Sequence, residues 1–397
     1  MRLVFFDFII NFGGGPQGSV YLARRLNAHH PVTVIDGYGY CREYCQAVQA
    51  AGLPLRILYP KDTEPYIGCA GRPVRRFFRM VRQLPELIQI GRRLEKTILE
   101  IDPSVIWVNN FKSLSLLAWN PRLCKYPLVV YFRGWGTPDQ ISRSFLNLLK
   151  GPRVSAVIAH ARATYEQLRS QGVPEEKLSF TPNTVPFEEI LERAKEPLHA
   201  PLPRQDGYPK MLLPAARPVR EKGHHTAIEA VALLKERGYK PVLWLPGKTA
   251  TGASHDFENA LQDMIHRKNL EANVQFLGWR TDMEALIRAS DIVILPSHTE
   301  GFPRIILEAM LLKRPVIATP VGGIPEALKD GQTGLLMEVD DASQLCRNVL
   351  QYVNQSSLRH QIVETAYEYV RKNFHPDVNT QKVLQVFQAV SRKEFQC

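Results

Sequence analysis

Both halves of this chain alternate short β-branched and aromatic runs with stretches of helical periodicity, and that alternation leaves few folds open. Strands separated by helices pair in parallel, and a parallel sheet buries both faces under the helices that connect it. In the first half the strand-like runs are LVFFDFII, PVTVID, PLRILY, SVIWVN, PLVVYF and VSAVIA; in the second they are KMLLPA, PVLWLP, NVQFLG, DIVILP and RPVIAT. Between the two sets lies KEPLHAPLPRQDGYPK, with prolines at 197, 201, 203 and 209 and no apolar periodicity. Proline denies both helix and ladder hydrogen bonds, so this is linker composition. The expected architecture is α/β, with two doubly wound parallel-sheet domains facing across a cleft. The first spans 1–195, a linker covers 196–209, the second spans 210–375, and a C-terminal helix over 376–397 is expected to pack back onto the first. Such sheets bind ligands outside the carboxyl ends of their strands, so the loops there should hold the chemistry.

Composition narrows the function classes. The 397 residues are 45% apolar and 22% charged, which excludes a disordered, collagenous or coiled-coil chain. Lys and Arg number 50 against 39 Asp and Glu, a net charge of +11, and residues 1–200 hold 26 and 17 of these, so most of the excess lies there. No helix-turn-helix, zinc-finger or RNP-like pattern accompanies the charge, so nucleic acid is not an expected partner. Six cysteines, at 41, 45, 69, 124, 346 and 397, are too few for a disulfide scaffold and are expected as reduced thiols. The opening MRLVFFDFII has no small-residue cleavage site and reads as a strand rather than a signal peptide. No apolar run approaches the ~18 residues that a membrane span requires. A cytoplasmic protein is expected.

The first glycine cluster admits two readings. Gly13, Gly15 and Gly18 fit G-x-G-x-x-G between a strand and a helix, and Asp36 ends the next strand, where a dinucleotide fold places its ribose carboxylate. The same residues also suit a tight turn that aims backbone N–H groups at any phosphate or substrate. The motif does not decide between them.

Residues 295–327, LPSHTEGFPRIILEAMLLKRPVIATPVGGIPEA, say more. Glu300 and Glu308 lie eight apart around Gly301, Phe302, Pro303 and Arg304, which puts Glu300 at a helix mouth and Glu308 about a turn and a half inside. Within 301–304 the backbone N–H groups of Gly301, Phe302 and Arg304, with the positive end of the helix dipole, make a site for a diphosphate. A carboxylate accepts two hydrogen bonds from a vicinal diol, so two of them suit a ribose and a sugar ring. Upstream, LLPAARPVREKGHHTAIEAV places Arg217 and Lys222 in a strand-to-helix turn, where two cations would hold a departing diphosphate. Arg220, between them, is expected to be solvated. Two other features are set aside. Gly247-Lys248-Thr249 lacks the first glycine of a phosphate loop, and His224 and His225 have no matching ligand pair in the sequence.

These motifs resemble the family 4 retaining glycosyltransferases of the GT-B fold, which is built from two Rossmann-like domains. The E-x7-E element matches Glu300 to Glu308 and the Arg-x4-Lys element matches Arg217 to Lys222. FLG at 276–278, PVGGIPEAL, DGQTGLL, TPNTVPF at 181–187 and GGGPQGSVYLARRL at 13–26 are also similar to family segments. The resemblance implies that Arg217 and Lys222 neutralise the nucleotide diphosphate, that Glu308 binds the ribose and that Glu300 binds the transferred sugar. It places donor contacts at Gly15, at Gly301, Phe302, Pro303 and Arg304, and at Gly278 and Arg280 near the base. Family members often carry a histidine after the fifth strand, and here VVYFRGWG puts Arg133 in that place, where it cannot act as a base and is either a sugar or acceptor contact or a core-edge salt bridge. The chain contains no Asp-x-Asp, and fixed cations and dipoles can stabilise a leaving diphosphate, so no metal and no other cofactor is expected.

Residues 72–96 carry eight basic side chains, with Arg75, Arg79 and Arg82 on one helical face and Pro85 expected to break the run into two helices. Two readings are open: such a helix either rests on an anionic membrane surface, at the inner face of the plasma membrane, or packs on its sheet with a solvated basic face. The resulting expectation is a retaining glycosyltransferase that moves a sugar from a nucleotide-sugar to a cell-envelope, lipid-linked or polysaccharide acceptor, with UDP favoured because EGFPR is similar to the segment of family members that use UDP-sugars. The alternatives are an NAD(P)-dependent oxidoreductase built on the first glycine cluster, or a non-catalytic nucleotide-sugar or partner-binding module.

Overall fold

The computed structural model describes residues 1–63, 73–132, 141–203, 206–215, 218–247 and 253–392, with backbone alone at 73–82 and 253–255. Arg133, Arg217 and Lys248 lie outside the described residues, as do the side chains of Arg75, Arg79 and Arg82. The chain divides into two compact units, Met1–Pro182 with Asp377–Cys397, and Asn183–Pro376.

The first unit holds a seven-stranded sheet of β1 (Leu3–Asp7), β2 (Val32–Asp36), β3 (Leu55–Ile57), β4 (Val105–Val108), β5 (Leu128–Phe132), β6 (Val154–Ala159) and β7 (Leu178–Phe180). Its order is β3-β2-β1-β4-β5-β6-β7, with every pairing parallel. The order reverses between β1 and β4, which opens a crevice at their carboxyl ends. The period of two along β1 is written in the core: Val4 and Phe6 enter one apolar cluster while Leu3 and Phe5 enter the other. The helix Pro376–Ser391 joins the second cluster through Val383, Phe387 and Val390, and Phe387 packs 5.4 Å from the buried Trp107 ring.

The second unit holds a six-stranded sheet of β8 (Lys210–Leu212), β9 (Val242–Pro246), β10 (Val274–Gly278), β11 (Ile292–Leu295), β12 (Val316–Ala318) and β13 (Leu335–Leu336). Its order is β10-β9-β8-β11-β12-β13, again all parallel, with the reversal between β8 and β11. Residues 183–195, counted above with the first domain, group with this unit. The helix Phe187–Arg193 packs on Met283–Ala289 and Arg304–Leu311, and Thr184 Oγ1 donates to the Phe374 carbonyl at 2.7 Å.

Three sequence expectations need correction. Pro85 does not split its segment, since one helix runs from Pro73 to Ile101. A proline removes one backbone hydrogen bond and crowds the preceding turn, but Pro85 sits on the exposed side, where water can satisfy the freed carbonyl. On the opposite side Ile90, Leu94 and Ile98 are buried in the core, and that apolar stripe holds the helix together. The edge strands β7 and β13 were not anticipated, because three and two residues are too few to show a period. Finally, Cys41, Cys45 and Cys346 are free, but Cys124 is disulfide-bonded. Such a bond needs two sulfurs brought to about 2 Å, a proximity that spacing along the chain does not reveal.

Candidate active site

The loops that leave β8 and β11 meet at the reversal of the second sheet. After β8 the chain passes through a 3-10 turn at Arg220–Lys222 and then Gly223, whose φ of 68° opens the helix His224–Glu236. No side chain is tolerable at Gly223, since a Cβ there would lie 1.9 Å from the Pro296 carbonyl oxygen. That contact lays the turn against the loop after β11. His298 N–H donates to the Glu221 carbonyl at 2.8 Å and ties the two loops together. Lys222 Nζ then donates to Glu300 Oε1 at 2.6 Å, and Ser297 Oγ donates to the same oxygen at 2.8 Å. The Glu300 side chain is only 12% exposed and that of Lys222 33%, so the pair is shielded but reachable.

A third loop, after β12, supports Glu300 from behind. Gly322 has a φ of 57°, and a Cβ on it would fall 1.8 Å from the Glu300 carbonyl oxygen. Gly323 N–H donates to the Gly301 carbonyl at 2.6 Å. Asn183 Nδ2 donates to the Phe302 carbonyl at 3.2 Å, and the Phe302 ring is buried against Phe374. Backbone conformation at 300–302 is therefore set by contacts from three other segments of the unit. Pro303 caps the helix Arg304–Leu311, whose first N–H groups have no partner within the helix and point toward the loop.

Glu308 lies within that helix, one turn beyond Arg304, with 3.8 Å between Arg304 Nη2 and its Oε1. Burial pushes the Glu308 carboxyl above its ordinary range; Arg304 and Arg193 pull it back, and Glu284 adds to the rise. With only 15% of its side chain exposed, the Glu308 carboxyl keeps few waters to displace. Gly278 ends β10 in the left-handed region at φ 66°, past a break in register, and accepts the Gly247 N–H at 2.8 Å. Trp279, beside it, is half exposed. Arg280, expected as a contact near the base, instead spends its guanidinium on Asp282, at 2.8 and 2.6 Å, and on the Ala200 carbonyl at 3.1 Å. It shapes the turn rather than presenting a free charge. Gly15 belongs to the first unit, in the first turn of the helix Gly14–Asn27, where its carbonyl accepts Ser19 Oγ at 3.1 Å.

The family model for glycosyl transferases group 1 matches residues 197–369, and the model for glycosyltransferase family 4 matches residues 12–189. The chain is a group 1 glycosyltransferase of the GT-B fold. Among curated relatives of this glycosyltransferase, it is 28% identical to the putative colanic acid biosynthesis glycosyltransferase WcaL of Salmonella typhimurium, over 55% of this chain and 51% of that one. It is 30% identical to the lipopolysaccharide core biosynthesis glycosyltransferase LpsE of Rhizobium meliloti, over 44% and 49%. The chain thus spans about half the length of these relatives. Its fold matches Anabaena HepE, solved with UDP and glucose, at a TM-score of 0.78 and 20% identity, over 98% of this chain and 100% of that one. A Rickettsia africae glycosyltransferase matches at a TM-score of 0.77 and 18% identity, over 99% of each chain.

In this glycosyltransferase the oxidoreductase reading has little support. Asp36 is fully buried, accepts the Tyr38 N–H at 3.0 Å and has no face for a ribose. Ser297, Asn183, Gly322 and Gly323 support Glu300 and its loop without a local signal for that role, although Asn183 lies in TPNTVPF and the two glycines in PVGGIPEAL. His224 is buried, and burial pushes its imidazole down to about 4, as suits a structural residue. His225, by contrast, has its partners in Asp340 and His298, which lie 115 and 73 residues further along the chain. Among the described residues no helix is long and apolar enough to cross a membrane.

Proposed function

We propose that this glycosyltransferase transfers a sugar, with retention of anomeric configuration, from a UDP-sugar to a cell-envelope, lipid-linked or polysaccharide acceptor. The observation that carries the reading is the Lys222–Glu300 pair at the reversal of the second sheet, beside the amino end of the helix Arg304–Leu311. As the glycosidic bond breaks, negative charge builds on the diphosphate. Lys222 and the helix dipole meet that charge in place, and Arg217 is assigned the same task from its motif. Glu300, held by Ser297 and Lys222, accepts hydrogen bonds from sugar hydroxyls, and Glu308 accepts from the ribose diol. Positive charge is then supplied by side chains and backbone, and the transfer step calls for no metal. Arg133 is assigned a sugar or acceptor contact. The roles of WcaL in colanic acid biosynthesis and of LpsE in lipopolysaccharide core biosynthesis support a cell-envelope acceptor, and the UDP in HepE supports the base.

The test is a thermal-shift panel of UDP, GDP, ADP and NAD, followed by donor hydrolysis on the stabilising nucleotide's sugars. Stabilisation by UDP is expected. Stabilisation by NAD alone would overturn the reading.

A peripheral membrane location is part of the same proposal. Leu84 and Ile88 are exposed one turn apart on the helix Pro73–Ile101, and Arg92 and Lys96 continue that line on exposed positions. Apolar side chains flanked by bases are what an anionic bilayer surface takes up.

A further inference from the structure

The residues just behind the donor loops form a second cluster that the transfer reaction does not use. Asp340 Oδ1 accepts from His225 Nε2 at 2.7 Å, from His298 Nε2 at 2.8 Å and from Thr226 Oγ1 at 3.1 Å. The two imidazoles stand edge to face, 5.6 Å between centroids, so both Nε2 atoms converge on one carboxylate oxygen without the rings colliding. The three donor atoms lie within 4.8 Å of one another. The two histidine side chains are 22% and 25% exposed and that of Asp340 43%, so the cluster is anchored on its protein side and open to water on the other.

We propose that His225, His298 and Asp340 form a binding site for one divalent transition-metal ion of the zinc class. Two imidazole nitrogens and one carboxylate oxygen are a ligand set that Zn2+ takes in tetrahedral geometry, with water in the fourth place. Metal–ligand bonds of about 2.0–2.2 Å put neighbouring ligand atoms about 3.3 Å apart in a tetrahedron. The present Nε2–Oδ1 distances are about half an ångström shorter, as hydrogen bonds should be. The ion would therefore take the place of the two Nε2 protons after a small outward rotation of the side chains; a neutral imidazole keeps its proton by moving it to Nδ1, and an imidazolium gives one proton to water. Binding releases protons and tightens with rising pH.

The cluster is linked to the donor site through the chain. His298 precedes Glu300 by two residues and its N–H holds the Glu221 carbonyl, while His225 follows Lys222 by three. An ion joining these segments to Asp340 would brace the two loops that bring Lys222 and Glu300 together. The site does not depend on which sugar or acceptor the enzyme uses, so it stands or falls separately from the proposed function.

The test is a Co2+ titration of the untagged full chain, read by the visible d–d absorption of tetrahedral cobalt. Saturation at one Co2+ per chain and displacement by Zn2+ are expected, with a melting temperature that climbs with Zn2+ concentration. His225→Gln and His298→Gln keep a hydrogen-bond donor for Asp340 but offer no imidazole, and each should weaken Co2+ binding at least tenfold. His266→Gln, at an exposed histidine elsewhere, should leave it unchanged. Melting curves without metal verify that the variants fold, and Asp340→Asn provides an independent variant should either glutamine fail. No saturable cobalt absorption in the wild-type chain, or full binding in the folded glutamine variants, would overturn the proposal.

Discussion

Lys222 Nζ lies 2.6 Å from Glu300 Oε1, although 78 residues separate the two along the chain. The contact couples a cation suited to a diphosphate with a carboxylate suited to a sugar, and it makes each residue's removal felt by the other. Lys222→Ala would leave Glu300 with Ser297 alone, and Glu300→Ala would free Lys222 to wander. Each substitution is expected to lower turnover about 10²- to 10³-fold, the loss typical of one preorganised charge-stabilising group. The double variant should lose less than the product of the two, since the residues act as a unit. Wild-type rates in both single variants, measured by donor hydrolysis, would refute the assignment.

The glycines that press on this loop offer a test of packing. Gly322→Ala combines a left-handed backbone with a Cβ aimed at the Glu300 carbonyl, so it should cost at least about 2 kcal/mol and impair turnover through a displaced Glu300. Gly238 is also left-handed, at φ 82°, but nothing lies within 4 Å of an added Cβ. Gly238→Ala should therefore lose only about 1 kcal/mol and leave catalysis intact. Equal effects of the two substitutions in melting and rate assays would show that the close approach is unimportant.

Burial in the first unit predicts a pH dependence. Asp7 ends β1 under Asn110, Ser113 and the Phe8 N–H, and burial raises its carboxyl to about 6; Asp36, at the end of β2, is likewise raised to about 6. An unfolded aspartate titrates near 3.9, so the folded protein holds the extra proton between about pH 4 and 6. The stability from protonation is fully present below the unfolded value and is lost as pH rises through about 6. Asp7→Asn keeps the Oδ1 acceptor without the charge. At pH 7.5 it should be more stable than wild type by roughly 2–3 kcal/mol, with the difference vanishing near pH 4. A pH-independent difference in chemical unfolding would contradict this.

Phe387 is buried against Trp107 near the C-terminal end of the chain. Phe387→Ala should destabilise the first unit by about 3–5 kcal/mol, the usual loss for a core phenylalanine. A change below about 1 kcal/mol would mean that the helix Pro376–Ser391 contributes little to that core.

For the membrane, Arg92→Glu with Lys96→Glu should reduce sedimentation with phosphatidylserine vesicles at least tenfold, since each near-surface base contributes about 1 kcal/mol. Neutral vesicles should show little binding by either protein. If the double variant binds anionic vesicles as the wild type does, the helix face is merely solvated.

Much of this was written locally. Alternating apolar runs determined two parallel sheets, because each strand's burial on both faces is a property of a few consecutive residues. Glu300, Glu308 and Lys222 were legible for the same reason: one turn and one helix start fix their placement. Pro85, read alone, signalled a break, and only the apolar stripe at Ile90, Leu94 and Ile98 against the sheet showed why the helix continues. The grip of Gly223 on Pro296 and of Gly322 on Glu300 joins loops that follow different strands, and no local pattern records such contacts. His225 looked unpartnered because its partners lie 73 and 115 residues away. The sequence by itself determined the longer strands and the types of residue at their ends. Only the tertiary structure decided which of those ends meet, since the parallel order β8-β11-β12 brings distant loops side by side and desolvates what lies between them.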